Sequence, residues 1–243
     1  YETFGYAGFF GIPMQYQAHG SAAHVDACPP IVNPKHRIVD VPRASRREAA
    51  AAHDRWTDLL RAGRALVKTL KRNVTAAFGF VEAAGGVFGA AMAARTLIPR
   101  PLRRLANALA ARIPRPETFC TLTVDRVPEE DDSAHLPLGL TLREKVLYAE
   151  AAFKMMGWTD RFAPVVVFLG HGSETVNNPY KSSLDCGACA GNPGGPNARA
   201  LAAICNDDAV RAMLHELGIH IPPDTVFLAG EHNTTTDAIA LFD

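Results

Sequence analysis

The sequence predicts an α/β fold in which a parallel-type sheet with flanking helices is interrupted by a helical insertion. In the second half, short runs rich in β-branched residues alternate with segments of helical periodicity, a pattern typical of a parallel sheet. A basic segment of helical periodicity separates that half from a Gly/Pro-rich beginning. We therefore expect three parts: residues 1–43 and 116–243, which form the α/β core, and residues 44–115, which form the insertion.

The composition agrees with a folded protein whose charge is unevenly distributed. Of the 243 residues, 48% are hydrophobic and 21% are charged, which excludes a disordered tail and a small disulfide-bonded knot. The 25 Lys/Arg and 25 Asp/Glu balance, which argues against a nucleic-acid-binding protein. However, residues 1–115 hold 17 basic and 7 acidic side chains, whereas residues 116–243 hold 8 and 18.

The first two parts combine an irregular segment with strong helices. Frequent Gly and Pro in residues 1–40 predict loops and short strands. Ser45-Arg-Arg-Glu48 has the pattern of a capping box and predicts a helix over residues 44–73, whose apolar residues recur at helical spacing.

Residues 74–93 approach membrane-spanning length, but they contain Glu82, four glycines and mostly alanine. A buried helix or helical hairpin is one interpretation, and a segment that touches an anionic lipid surface is the other. Pro99 and Pro101 are expected to break the chain before a short basic helix at 102–111.

The third part contains the alternating helices and strands. An acidic loop is expected at 127–138, and the Thr141/Glu144 capping box predicts a helix that ends at Gly157. Residues 164–169 and 224–229 are predicted as buried strands. Between them, residues 197–205 and 208–217 are predicted as helices with Asn and Asp caps, the second ending at Gly218.

Residues with metal-binding chemistry follow the first of these strands, at the edge of the sheet where α/β proteins bind ligands. The strand leads into Gly170-His171-Gly172-Ser173, and a polar loop then leads to Cys186-Gly-Ala-Cys189. Imidazole and thiolate are zinc ligands. A thiol redox pair and a purely structural loop are the alternatives at this stage.

The five cysteines, an odd number, indicate reduced thiols in a cytoplasmic setting rather than disulfide bonds. The chain begins with Tyr1 and shows no signal-peptide pattern. We therefore expect it to be a fragment whose true beginning lies upstream.

Several motifs together resemble the DabA family of probable inorganic carbon transporter subunits. The resemblance runs from end to end and is strongest at 1–40 and 165–237. The motifs are Glu2-Thr-Phe-Gly-Tyr-Ala-Gly-Phe-Phe-Gly11, Gly170-His-Gly-Ser173, Asn177-Asn-Pro-Tyr180, Asp185-Cys-Gly-Ala-Cys189, Asn197-Ala-Arg199 and His232-Asn-Thr-Thr-Thr-Asp237.

This resemblance implies a β-carbonic-anhydrase-like core and zinc site, with His171 and Cys186 as ligands and Cys189 as a neighbour. The family's other two ligands belong to a Cys-x-Asp-x-Arg motif, which does not occur in these residues and would lie upstream. The residues expected to surround the site are Gly170, Ser173, Asn177, Asn178, Asp185, Cys189 and His232.

The resemblance also implies zinc-dependent hydration of CO₂ to bicarbonate in an energy-coupled complex. The implied partner is DabB, a proton-conducting membrane subunit, and the implied location is peripheral, at the cytoplasmic face of the inner membrane. The fragment alone is expected to be inactive. A non-enzymatic scaffold or partner-binding subunit and a Cys-x-x-Cys redox protein are the alternative functions.

Overall fold

The computed structural model of the chain describes residues 2–128 and 136–242. The chain divides into two compact units. The first consists of Tyr1–Val41, Cys120–Thr175 and Tyr180–Asp243, and the second of Pro42–Phe119 and Val176–Pro179. The predicted mixed α/β architecture is confirmed. Most of the acidic loop expected at 127–138 lies outside the described residues.

The first sheet of the first unit contains four short strands in the order β2-β1-β3-β4. They are β1 (Met14–Gln17), β2 (Val25–Ala27), β3 (His36–Pro42) and β4 (Cys120–Leu122). β1 is antiparallel to β2 and parallel to β3. β3 and β4 are neighbours although the whole insertion separates them in sequence, so the chain leaves this sheet and later returns to it.

The second sheet places the two predicted strands side by side. Strands β5 (Val165–Gly172) and β6 (Val226–Asn233) are parallel, and β7 (Ala238–Phe242) adds to β6 in antiparallel orientation. The expectation of a parallel-type sheet is therefore wrong for the whole fold, because both sheets are mixed. A tight turn after Asn233 returns the chain directly along β6, which only an antiparallel strand can do.

The expectation that β5 is a buried strand holds for only one of its faces. Val166 and Phe168 are buried in the core, whereas Val165, Val167 and Leu169 on the other face are exposed. The alternation is that of a strand covered on one side.

Three helices complete the first unit: α5 (Leu142–Met156), α6 (Gly195–Cys205) and α7 (Asp208–Glu216). The Thr141/Glu144 capping box is formed, and Gly157 ends α5 with φ 68°. Gly218 follows α7 with φ 83°, as predicted. The predicted cap of α7 is shifted by one residue, because Asp207 accepts the N–H groups of Ala209 and Val210.

The predicted Asn cap of α6 is wrong. Gly194 occupies the N-cap position, and Asn197 lies fully buried inside the helix. Almost all of α6 is buried, and it contacts both β5 and β6. This helix therefore forms the centre of the core from which the site is built.

The second unit is helical. A 3₁₀ turn (Ala44–Arg46) leads into α1 (Arg47–Arg72), followed by α2 (Ala77–Leu97), α3 (Pro99–Ala110) and the short α4 (Pro116–Phe119). The Ser45/Glu48 capping box is not formed, because Ser45 lies inside the 3₁₀ turn and Arg46 is the N-cap. Pro99 and Pro101 lie within the first turn of α3, where proline is tolerated.

Helix α2 contradicts the interpretation of residues 74–93 as a buried helix, since none of its residues is buried among the described residues. By length and composition, α2 is the one described helix that is long and apolar enough to cross a membrane.

Candidate functional site

The carboxyl ends of β5 and β6 bring two imidazoles into register. His171, the penultimate residue of β5, is paired with His232 of β6. Residues in register on parallel strands extend to the same face of the sheet, so both rings lie on one face. Both histidines are half-buried, and His232 Nε2 lies 2.9 Å from Asp237 Oδ1. His232 therefore lies at the same edge of the sheet as His171.

The side chains of His171 and Cys186 converge on Gly8. A Cβ atom on Gly8 would lie 2.7 Å from Cys186 Sγ and 3.7 Å from His171 Cδ2. The thiol and the imidazole, 15 positions apart in sequence, therefore lie beside the same point of the N-terminal segment. A side chain at residue 8 would displace the thiol.

The backbone at His171 is held by a close approach of glycines. Gly194 N–H donates to His171 O at 2.9 Å, and a Cβ on Gly170 would lie only 2.3 Å from the carbonyl carbon of Gly194. No side chain fits between these two backbones. Because Gly170 has no side chain, the loop before α6 can pack directly against it. The Gly194 N–H of this loop then holds the end of β5 in place.

A buried carboxylate anchors the loop between β5 and Cys186. Ser173 Oγ donates to Asp185 Oδ1 and Lys181 Nζ donates to Asp185 Oδ2, both at 2.6 Å. Burial of Asp185 would raise the pKa of its carboxyl, but the hydrogen bonds from Lys181 and Ser173 outweigh this effect and the pKa is lowered. Asp185 is therefore a buried anion that fixes the residue before Cys186. No pattern in the sequence indicates this role of Lys181.

The Cys-x-x-Cys segment is a tight turn around the Cys186 carbonyl. Cys189 N–H and Gly191 N–H both donate to Cys186 O at 2.9 Å. Cys189 is fully buried, and its Sγ lies 4.0 Å from Asn197 Oδ1. Burial and the neighbouring Cys186 raise the pKa of the Cys189 thiol far above its usual range. All five cysteines are free thiols and buried.

Asn197 links α6 to the N-terminal segment that contains Gly8. Its Nδ2 faces the carbonyl oxygens of Phe9, Ile12 and Ala27 at 3.0–3.2 Å. Two of these carbonyls lie in loops and the third is at the end of β2. Because all three are far away in sequence, no local pattern identifies this role. The residue holds the turn that follows Gly8 next to the start of α6.

Asn177 and Asn178 belong to the second unit. Asn177 Nδ2 donates to Arg95 O at 3.1 Å, so its amide supports a helix end there. Within the described residues, 2–128 and 136–242, no group of three or more His, Cys, Asp or Glu side chains is arranged to hold a metal ion. His171 and Cys186 thus provide two donors of the type that zinc takes, which fits half of a four-coordinate site.

Comparison with known proteins identifies the family to which these residues belong. The family model described as "Probable inorganic carbon transporter subunit DabA" matches residues 1–243. The chain belongs to the DabA family. This confirms the resemblance carried by the motifs around Gly8, His171, Cys186 and His232.

Relatives that carry the same description match the whole chain. The protein from Salinibacter ruber is 66% identical over all of the chain, that from Natronomonas pharaonis 54%, and one from Legionella pneumophila 39%. The chain spans about 30% of the length of these curated relatives. No solved structure matches it.

Proposed function

We propose that the chain is part of an inorganic carbon transporter subunit and that His171 and Cys186 hold half of a zinc site for hydration of CO₂ to bicarbonate. The observation that carries the proposal is the convergence of the imidazole and the thiol beside Gly8. The family description contributes the substrate class, inorganic carbon. The β-carbonic-anhydrase-like core is part of the same proposal.

When bound, zinc supplies a hydroxide nucleophile near neutral pH. A four-coordinate site needs two donors beyond His171 and Cys186, and the family resemblance implies a Cys and an Asp from the Cys-x-Asp-x-Arg motif. That motif does not occur in the 243 residues, so the proposed activity is one of the longer protein.

The chain's own residues position the two donors. The Gly194 N–H fixes the His171 carbonyl, and the turn around Cys186 O fixes the backbone of the thiol donor. The Asp185 anion, held by Ser173 and Lys181, keeps the intervening loop in place. Cys186 is 1% exposed, so its sulfur is shielded from bulk water.

Assembly with a proton-conducting membrane subunit, DabB, at the cytoplasmic face of the inner membrane belongs to the same proposal. Its support is the family description of a transporter subunit. The redox alternative is less well supported, because a reactive Cys-x-x-Cys pair needs an accessible thiolate and Cys189 is fully buried with a raised pKa.

Metal removal tests the proposal directly. The full-length protein, isolated in its complex, is expected to contain about one zinc per chain, and a strong chelator should abolish CO₂ hydration. Adding zinc back should restore the activity. A complex that transports inorganic carbon without any bound metal would instead indicate a scaffold, and a reversible dithiol titration without metal would indicate a redox protein.

Gly8→Ala is expected to weaken zinc binding by the full-length protein about 10- to 100-fold, the range for losing a residue that supports a ligand. The new Cβ would overlap Cys186 Sγ and force the thiol to rotate. Gly5→Ala is the matched control, because a Cβ there has no neighbour within 4 Å. Competition with a chromophoric chelator measures both affinities. Equal affinities for the two variants would contradict the assigned position of Cys186.

A further inference from the structure

Helix α2 has an unusual surface for a helix with no buried residue. In its 21 residues, Glu82 and Arg95 are the only charged side chains. Large apolar side chains are exposed around its circumference, so it has no polar face. They are Phe78, Val81, Val87, Phe88, Met92 and Leu97. Such a surface requires an apolar environment.

The chain's topology excludes a single membrane crossing by α2. The second unit leaves the first sheet after β3 and returns to it at β4, and these two strands are neighbours. At the base of the unit, Arg43 N–H donates to Phe119 O at 2.9 Å, so its two ends meet. One crossing would place β3 and β4 on opposite sides of a membrane.

No other described helix provides a return crossing. Helix α1 contains seven Lys/Arg and three Asp/Glu, and α3 has only 12 residues. In the part of the chain that the structure describes, α2 alone has the length and composition of a span. A helix whose two ends stay on one side of a bilayer does not cross it. The polar face that an interfacial position requires comes from α1 and α3, two basic amphipathic helices that contact α2.

The charge of the second unit indicates the kind of membrane surface that it would bind. Residues 42–119 contain 15 Lys/Arg and 5 Asp/Glu, a net charge of +10. Basic residues lie on both sides of α2, in the last turn of α1 and in α3. Clusters of this kind are attracted to anionic lipid headgroups.

A groove between α1 and α2 combines apolar surface with positive charge. It has a volume of about 610 Å³ and an apolar lining that includes Leu59, Leu60 and Phe88. Four cationic residues also line the groove, and Lys71 Nζ lies 5.2 Å from the centre of the Phe88 ring. The other three are Arg64, Lys68 and Arg72. An acyl chain beside a negatively charged headgroup has the matching chemistry.

We propose that the second unit is an interfacial anchor that binds anionic lipid, with α2 embedded at the headgroup–acyl boundary and not spanning the membrane. The inference rests on the proposed function only in placing the protein at a membrane, and it is independent of the zinc chemistry.

Vesicle flotation of the purified full-length protein tests the lipid preference. We expect binding to vesicles of phosphatidylcholine with about one-third phosphatidylglycerol, weakened by 0.5 M salt, and at least about tenfold weaker binding to pure phosphatidylcholine. The triple variant Arg64→Glu/Lys68→Glu/Lys71→Glu should bind the anionic vesicles at least about tenfold more weakly than the wild-type protein. The matched control is Lys35→Glu/Arg143→Glu/Arg161→Glu, which reverses three exposed charges of the first unit and should bind normally.

The embedded position is tested by labelling both ends of α2. Thr75 lies two residues before α2 and Thr96 is its penultimate residue, and both are exposed, whereas the native cysteines of this chain are all buried. Thr75→Cys and Thr96→Cys therefore mark the two ends of the helix. On protein bound to sealed anionic vesicles, a membrane-impermeant maleimide should reach both positions. Protection of one end only would overturn the interfacial placement in favour of a span.

The proposal would be overturned if the wild-type protein failed to bind protein-free anionic vesicles, or if its binding did not depend on lipid charge. The apolar surface of α2 would then be expected to contact a membrane protein instead of lipid. Zinc content measured on the same preparations separates this failure from failure of the proposed metal site.

Discussion

His171→Ala and Cys186→Ala are each expected to remove zinc from the full-length protein and to lower its CO₂ hydration by more than about 100-fold. This loss should exceed the ~10- to 100-fold cost of changing a residue that only supports a ligand. The reason is that each side chain is one of the two proposed zinc ligands, which converge beside Gly8. Metal analysis and stopped-flow hydration assays of the purified complexes provide the two measurements.

Two matched variants separate metal binding from the general effects of losing an imidazole or a buried thiol. His24 is exposed and Cys205 is fully buried inside α6. His24→Ala and Cys205→Ala should both retain about one zinc per chain. If His171→Ala or Cys186→Ala also retained full zinc and activity, the assigned ligands would be wrong.

The elements that were predicted correctly depend on interactions within a few residues. The Thr141/Glu144 capping box joins positions three apart, and Gly157 and Gly218 adopt the positive φ that ends a helix. Such signals are present in the sequence itself.

The features that were missed depend on partners far away in sequence. Asn197 has the residue type of a helix cap, yet three carbonyl oxygens of residues far away in sequence hold it inside α6. Gly8 matters because Cys186 folds against it, which no local pattern reveals. Ser45 and Glu48 have capping-box spacing, but the chain enters α1 through a 3₁₀ turn that shifts the helix start.

Arg199→Met is expected to destabilise the first unit by about 3–5 kcal/mol, the cost of leaving a buried charge without its partner. Arg199 Nη1 donates to Asp40 Oδ1 at 2.9 Å, and its Nη2 donates to Cys120 O at 3.3 Å. Tyr16 Oη donates to the other carboxylate oxygen at 2.5 Å. These bonds join α6 to β1, β3 and β4, and the Asp40 side chain has no exposed surface. Native-state hydrogen exchange of the full-length protein should show α6 and β3 amides exchanging about 100- to 4,000-fold faster.

The matched control for Arg199→Met is Arg161→Met. Arg161 also pairs with an aspartate, Asp160, but its side chain is 90% exposed, so its loss should change exchange very little. The double variant Asp40→Leu/Arg199→Met should recover much of the lost protection, because it leaves no unpaired charge in the core. Because α6 also carries Asn197, which holds the turn after Gly8, Arg199→Met should in addition weaken zinc binding. Unchanged exchange in α6 would mean that the Asp40–Arg199 pair is not what joins this helix to the first sheet.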